Sequence, residues 1–406
     1  MPPMTRWLAL AGLALPAGAG AQDFTLHGYL DYRLVSRPDE PSYVEGGPGK
    51  TRFGGGGTGG EFGGAALAAS AQLAPAWLAR VDVQFQTTDE SSVDVLEAWT
   101  RWRPVSLTPW RHSFKFGAFF APISLENDGI AWTSRWTLTP SAVNTWVGEE
   151  LRTVGAEYRI EHRADGATVE GAVALYGWND PAGEILAARG WAMSDLYVGL
   201  GGSLREPDVV AIAQDEPVPR RYDPYVEIDD RIGWYAEGTV RAPGRGRFTA
   251  LYYDNNADGT TSTTYEGSEI STWDTRFWSL AGEASIGPVT LIGQAMTGST
   301  YFAPSPFFSS TTEFDAGFLL AGWDLGRWRP AARVDLFTTR ERPRSGSPVD
   351  EHGHALTLAL NWRPRDWLRV SAEWLHIDST RGQPIAELPD ERIVANQFQL
   401  GARILF

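Results

Sequence analysis

The chain has 406 residues, 35 Lys and Arg against 50 Asp and Glu for a formal charge of −15, and no cysteine. That balance argues against a nucleic-acid partner, and the missing thiols exclude a disulfide framework and cysteine–metal sites. At this length a soluble reading requires two or three domains, yet no linker is visible, and the one low-complexity stretch, Gly54 to Gly60, reads as a loop between two early strands.

At the N-terminus a single basic residue, Arg6, precedes an apolar run from Trp7 to about Ala17 and the small residues Ala19-Gly20-Ala21. This pattern predicts a cleaved secretory signal peptide over residues 1–21, with residues 22–406 as the mature barrel. The run is shorter than the roughly 20 residues of a spanning helix and contains Pro16. Cleavage removes one basic residue and no acid, so the acidic excess grows.

From there the signal is period-two alternation, which puts one set of side chains on each face of a strand. Strands are expected at about 24–35, 62–74, 77–87, 92–103, 110–120, 151–162, 167–177, 228–241, 246–254, 271–286, 289–299, 313–324, 330–340, 354–363, 367–377 and 393–406. In the fifth, Trp110, His112, Phe114, Phe116, Ala118 and Phe120 oppose Arg111, Ser113, Lys115 and Gly117. In the last, Val394, Asn396, Phe398, Leu400, Ala402, Ile404 and Phe406 oppose Gln397, Gln399, Gly401 and Arg403.

Alternation alone fits a soluble sandwich as well as a membrane barrel; connection lengths separate them. After every even strand the chain turns within a few residues (APA, PVSLTP, RADG, APGRG, Gly287-Pro288, DLGRW, RPRD). After odd strands it runs long (36–61, 121–150, 178–227, 255–270, 300–312, 341–353, 378–392), except for the short link near Thr88–Ser91. Tryptophans near strand ends (Trp77, Trp99, Trp102, Trp110, Trp234, Trp323, Trp328, Trp362, Trp367, Trp374) suit two interfacial girdles. The expected fold is therefore all-β: a transmembrane antiparallel up-and-down β-barrel of about 16 strands in the outer membrane. The terminal Phe406, closing an amphipathic strand, resembles the C-terminal signature of bacterial outer-membrane proteins, which implies recognition by the outer-membrane assembly machinery.

A barrel of this strand number leaves an aqueous lumen, so the expected function is passive diffusion of small hydrophilic solutes or ions, with no cofactor, metal or catalytic residue. The connection 121–150 carries Glu126, Asp128, Glu149 and Glu150 with a single Arg135. By its resemblance to the third external loop of general porins, it is the expected constriction. The wet strand faces place Arg80, Asp82, Arg101, Arg103, Lys115, Arg159, Arg333, Asp335, Arg369, Glu373 and Arg403 on the opposing wall. An acidic loop facing a basic wall sets up a transverse field that orients permeating solutes.

The segment KFGAFFAPISLEN, through Lys115, Gly117, Phe119, Pro122 and Glu126, resembles the phosphate-selective porin O and P family. That resemblance implies a Gram-negative outer-membrane porin, embedded in lipid and assembling as a homotrimer, with anions bound by lumenal arginines and lysines. This chain departs from the pattern, having only Lys50 and Lys115 and an acidic balance.

Other chemistry is discounted. His352-Gly353-His354 has no third histidine nearby. The stretch Asp254 to Gly259 suggests a calcium loop, but its twelfth place is Tyr265, with Glu266 one beyond. GGGGTGGEFGG opens no helix, and no nucleophile elbow or P-loop is present. The alternatives are a non-conducting barrel for adhesion or binding, resting on the connection 178–227, and an outer-membrane hydrolase barrel, for which no convincing residue set is found.

Overall fold

The computed structural model describes residues 23–86, 93–215, 220–265, 268–385 and 388–406. The expected signal peptide and the link near Thr88–Ser91 lie outside the described residues. The alternation read from the sequence becomes the two faces of a wall. In β1 (Asp23–Ser36), Tyr29, Asp31, Arg33 and Val35 are buried while Leu26, Leu30, Tyr32 and Leu34 are exposed. In the last strand Gln397, Gln399 and Arg403 are buried and Val394, Phe398, Leu400 and Ile404 exposed. The polar face thus points into the molecule and the apolar face out of it, the reverse of a water-soluble sandwich and the pattern of a membrane-spanning barrel.

The sheet continues through β2 (Thr58–Ala74), β3 (Trp77–Phe85), β4 (Val93–Trp102), β5 (Trp110–Phe119), β6 (Thr153–Ala164), β7 (Ala167–Gly177) and β8 (Gly233–Ala242). It is completed by β9 (Gly246–Asp254), β10 (Asp274–Ile286), β11 (Val289–Ser305), β12 (Phe308–Trp323), β13 (Trp328–Pro343), β14 (Glu351–Arg365), β15 (Leu368–Arg381) and β16 (Glu391–Leu405). Each strand pairs antiparallel with its sequence neighbours, and β16 returns to β1 in register from Tyr29↔Leu405 to Ser36↔Phe398, closing a sixteen-stranded barrel. Closure leaves no row of unpaired backbone groups for lipid to meet. Among the described residues no helix is long and apolar enough to cross a membrane.

Aromatic rings ring both ends of the outer surface. At the short-turn end Trp77 pairs across with Trp102 and Trp328 with Trp362, the latter rings 5.5 Å apart. Toward the other end Trp234, Tyr252 and Trp278 form a row with centroids 5.2 and 4.9 Å apart. From Trp278 to Ile286 β10 rises roughly 27 Å at about 3.4 Å per residue. Tilted by about 40°, that gives roughly 20 Å of height, near the ~25 Å apolar band of such barrels.

Three expectations are corrected. Residues 300–312 are not a long loop: β11 and β12 stay paired through Phe302↔Ser310 and Ser305↔Phe308, because the Thr, Tyr, Phe and Ser run outweighs Pro304 and Pro306. The eighth strand starts at Gly233, after a bend where Asp230 takes φ 57°. Trp99 belongs to the interior. A bulge in β4 (Asp82↔Glu97, then Val83↔Val95) shifts the parity, so Trp99 packs against the inner apolar cluster and lies 5.8 Å from the Arg101 guanidinium.

The seam between first and last strands depends on one glycine. Gly28 and Phe406 exchange both backbone hydrogen bonds, at 2.9 and 3.1 Å. A Cβ at Gly28 would lie 2.5 Å from the Phe406 ring and 2.7 Å from the Ala66 carbonyl. Gly28→Val is expected to destabilise the closed seam by about 1–3 kcal/mol through overpacking. A several-fold lower yield of the heat-resistant folded band on unboiled gels would register it, and an unchanged yield would contradict it.

Candidate functional site: the filled interior

Three long connections fold inward. The one after β5, residues 120–152, carries α1 (Ala142–Glu150), every residue of which is buried. Ser141 caps its N-terminus by accepting the Asn144 N–H at 3.2 Å. At its C-terminus Arg152 donates to the Leu151 and Val198 carbonyls at 2.9 and 2.8 Å and lies 3.4 Å from the Phe120 ring centroid. Among the described residues no carboxylate pairs with Arg152, and a cation beside the negative end of the helix dipole and over an aromatic ring is stabilised by both.

Polar contacts fix this connection to the wall of β11 and β13 to β16. The Glu126 carboxylate accepts from Arg333 Nη1 at 2.6 Å and, on its other oxygen, from Ser141 N and Asn144 Nδ2 at 3.0 and 2.9 Å. Arg333 also donates to Asp335 at 2.8 Å, to the Thr139 and Pro140 carbonyls at 2.8 and 2.9 Å, and to Thr357 Oγ1 at 3.1 Å. Glu373 accepts the Leu138 and Thr139 N–H groups at 2.6 and 3.0 Å, and Gln294 donates to the Ile123 carbonyl at 3.1 Å. Gly322, which has no side chain, leaves room for the Trp136 ring: a Cβ there would lie 2.4 Å from it.

The connection 178–232 carries α2 (Glu184–Arg189) and α3 (Asp208–Ala213) and packs over the first one. Glu149 accepts from Arg189 Nη2 at 2.6 Å and from Tyr43 Oη at 2.5 Å. Glu150 accepts from Trp146 Nε1 and from the Gly183 and Ile185 N–H groups, the last two at 2.8 Å. These two glutamates therefore bind the second insert rather than the barrel wall. The connection 37–57 joins them: Lys50 Nζ meets Glu351 at 2.6 Å, and Asp195 receives Arg33 at 2.5 Å and Arg52 at 3.3 Å. Asp31, between Arg33 and Arg403 at 2.8 and 2.6 Å, completes this buried network.

Above the polar belt the inner wall is apolar. Tyr235, Tyr253, Phe277, Phe314, Phe337, Leu375 and Ile377 face inward and form one cluster with Trp146, Trp191, Met193 and Tyr197 from the inserts. Trp146 meets Phe314 at 5.0 Å and Phe277 at 5.6 Å, both edge to face. Each such buried ring contributes roughly 1.5–3 kcal/mol, so the inserts are held by packing and the polar belt sets their register. An outer cleft of about 920 Å³ remains between α2 and the wall of β11 to β15.

Below the packed layer, toward the short-turn end, the lumen is charged and partly exposed. Arg80 pairs with Asp82 at 2.8 Å, Lys115 with Glu157 at 3.5 Å, and Arg159 with Glu157, Glu170 and Glu237 at 3.3, 3.3 and 2.8 Å. Arg135 lies 3.8 Å from Asp128 and 3.9 Å from Glu283. Arg101, Arg103 and Arg111 line a 200 Å³ pocket at the mouth, and among the described residues no carboxylate stands within ion-pair distance of them. Among the described residues Arg369 reaches only the Ser134 carbonyl, at 3.4 Å, which leaves its Nε and Nη2 without a partner there.

Some interior residues escaped the sequence reading. Asp31 and Arg33 share the wet parity of β1 and could have been found by it. Lys50, Arg52 and Asp195 sit in aperiodic connections and carried no such signal. The same holds for Asp180, Glu227 and Asp229 within the second insert, whose carboxylate oxygens lie within 4.8 Å of one another.

No protein-family model matches this sequence, and no curated protein matches it. Among solved structures, the chain is similar to an anion-selective porin from Comamonas acidovorans (11% identity, TM-score 0.54, covering 95% of this chain and 99% of that one). It is also similar to a loop L8 deletion mutant of OmpT, an outer membrane protein of Vibrio cholerae (14%, 0.52, covering 95% and 100%). The outer membrane channel DcaP of Acinetobacter baumannii is a third such structure (12%, 0.51, covering 96% and 99%). At these identities the likeness establishes the fold.

Proposed function

We propose that this chain is a Gram-negative outer-membrane porin, exported through a cleaved signal peptide over residues 1–21, whose lumen passes small hydrophilic solutes or ions. The observation that carries the reading is the placement of residues 120–152 inside a closed sixteen-stranded barrel, tied to the wall through Glu126 and Arg333. A cleft opens on the long-loop side and a charged vestibule on the short-turn side. Known barrels of this fold carry short turns at the periplasm and long loops outside, and this supports a periplasmic position for the vestibule. The packed layer of Trp146, Trp191 and Phe314 makes the passage narrow, so the reading is of a low-conductance, selective channel rather than a wide pore. Arg80, Arg101, Arg103, Lys115, Arg159 and Arg369 set its inner field, and Phe406 directs its assembly.

For a homotrimer, the face of β2 to β4 is the contact this reading favours. Ala65, Leu67, Ala69, Ala71, Ala79 and Val81 point outward there, and small side chains let walls approach closely in lipid. Planar-bilayer recording of the refolded protein tests the channel: small stepwise ion currents are expected. A folded barrel that never conducts would replace this reading with an adhesion or binding barrel.

A further inference from the structure

We propose that the outer cleft is a binding site for a neutral polyhydroxylated solute, one to a few sugar rings in size. The cleft lies between α2 of the second insert and the tall wall of β11 to β15, and its volume of about 920 Å³ falls within the roughly 300–1,000 Å³ usual for small-molecule sites. The inference rests on the channel reading only in treating that solute as cargo; binding itself does not require conduction.

Two observations carry it. One side of the cleft is an aromatic ledge: Trp273 stacks on Phe302 with centroids 4.4 Å apart and planes 8° apart, and Phe308 meets Phe302 edge-on at 6.3 Å. Phe302 and Phe308 are half-buried and offer ring surface to the cleft. The second is a set of unsatisfied polar atoms on residues of the same lining. Glu184 Oε2 and Trp273 Nε1 are buried and lack a hydrogen-bond partner. A buried polar atom left unpaired costs about 1–3 kcal/mol, and two of them on residues lining one cleft point to a polar partner there.

The chemistry selects the class. An acceptor and a donor beside an aromatic ledge match hydroxyl groups, which both donate and accept, on a ring whose C–H face can lie on Phe302. Burial pushes the Glu184 carboxyl up to about 8, which leaves it neutral near pH 7 and suits it to a hydroxyl better than to an ammonium group. Glu341, held by Ser310 Oγ and the Val349 N–H, both at 2.8 Å, supplies a fixed acceptor on the opposite rim.

The test is equilibrium titration of the refolded barrel with maltose and maltotriose, followed by tryptophan fluorescence, in a detergent without a sugar headgroup. Saturable binding is expected, weakened at least about tenfold by Phe302→Ala and by Glu184→Ala. Phe307→Ala, at a turn tip that is 85% exposed and outside the cleft, should leave it unchanged. Heat-resistant mobility on gels confirms that each variant is folded. No saturable signal with either sugar overturns the proposal, as do unaltered, wild-type affinities in both cleft variants or tighter binding of a zwitterion such as glycine. Because the titration needs no current, a barrel that binds sugar without conducting would sink the channel and keep this site, whereas one that conducts without binding would do the opposite.

Discussion

Replacing Arg333 by alanine is expected to destabilise the barrel by about 3–5 kcal/mol, the usual cost of stripping one partner from a buried ion pair. The loss goes beyond one salt bridge. Glu126 and Asp335, 0% and 1% exposed, would each lose their guanidinium, and the Thr139 and Pro140 carbonyls would lose their donors. All four groups lie where water does not reach, so little can compensate. Three of them belong to the connection 120–152, so its anchorage to β13 fails and single-channel conductance should rise. Arg333→Lys keeps the charge but not the planar fork of donors and should fall between wild type and alanine. The triple variant Glu126→Gln, Arg333→Met, Asp335→Asn removes charge from both sides and should recover much of the loss. Denaturant unfolding of the refolded protein reads all three. A cost below about 1 kcal/mol for alanine would mean that the connection is not anchored at this point.

The wall was legible because its signal is local. Period two repeats within ten residues, and lipid on one side with a polar interior on the other forces that period onto every strand. The sixteen strands, their order and the short turns therefore follow from the sequence. Parity fails only where backbone geometry breaks it: the β4 bulge turned Trp99 inward although its neighbours in the sequence suggest a girdle residue. The interior was less legible. Glu126 was identifiable as a lumen carboxylate, but its partner follows from how a thirty-residue connection folds back on a strand two hundred positions away. Glu149 and Glu150 look like two more acids of the same loop, yet α1 aims them at Arg189 and at the N-terminal turn of α2. Long connections have no repeat from which to read a partner; only three-dimensional packing defines one.

The second large effect is expected on raising the pH, and it concerns the inserts rather than the wall. Glu150 is pushed up to about 7 by burial, partly offset by the Ile185 N–H and the Trp146 indole. Glu184 is pushed up to about 8 by burial, partly offset by Arg220, with Glu150 adding repulsion. Both folded values exceed the ~4.3 of a glutamate in the unfolded chain, so the folded state binds more protons between those limits. Its stability is then full below about pH 4, falls as pH rises through the two folded values, and levels off above about 8 to 9. At about 1.4 kcal/mol per unit, the part of the fall above pH 6, about one unit for Glu150 and two for Glu184, amounts to about 4 kcal/mol for the pair, which titrates jointly because each carboxyl disfavours ionisation of the other. The strain falls on the contact between α1 and α2, where Glu150 meets Gly183 and Ile185. The insert 178–232 should therefore loosen between pH 6 and pH 9 while the barrel stays closed. Limited proteolysis should cut within the insert several times faster at pH 9, and channel current should become larger and noisier. The double variant Glu150→Gln, Glu184→Gln removes both titrations and should flatten that dependence. Equal cleavage rates at the two pH values in the unaltered protein would show that these carboxyls do not control how the insert is seated.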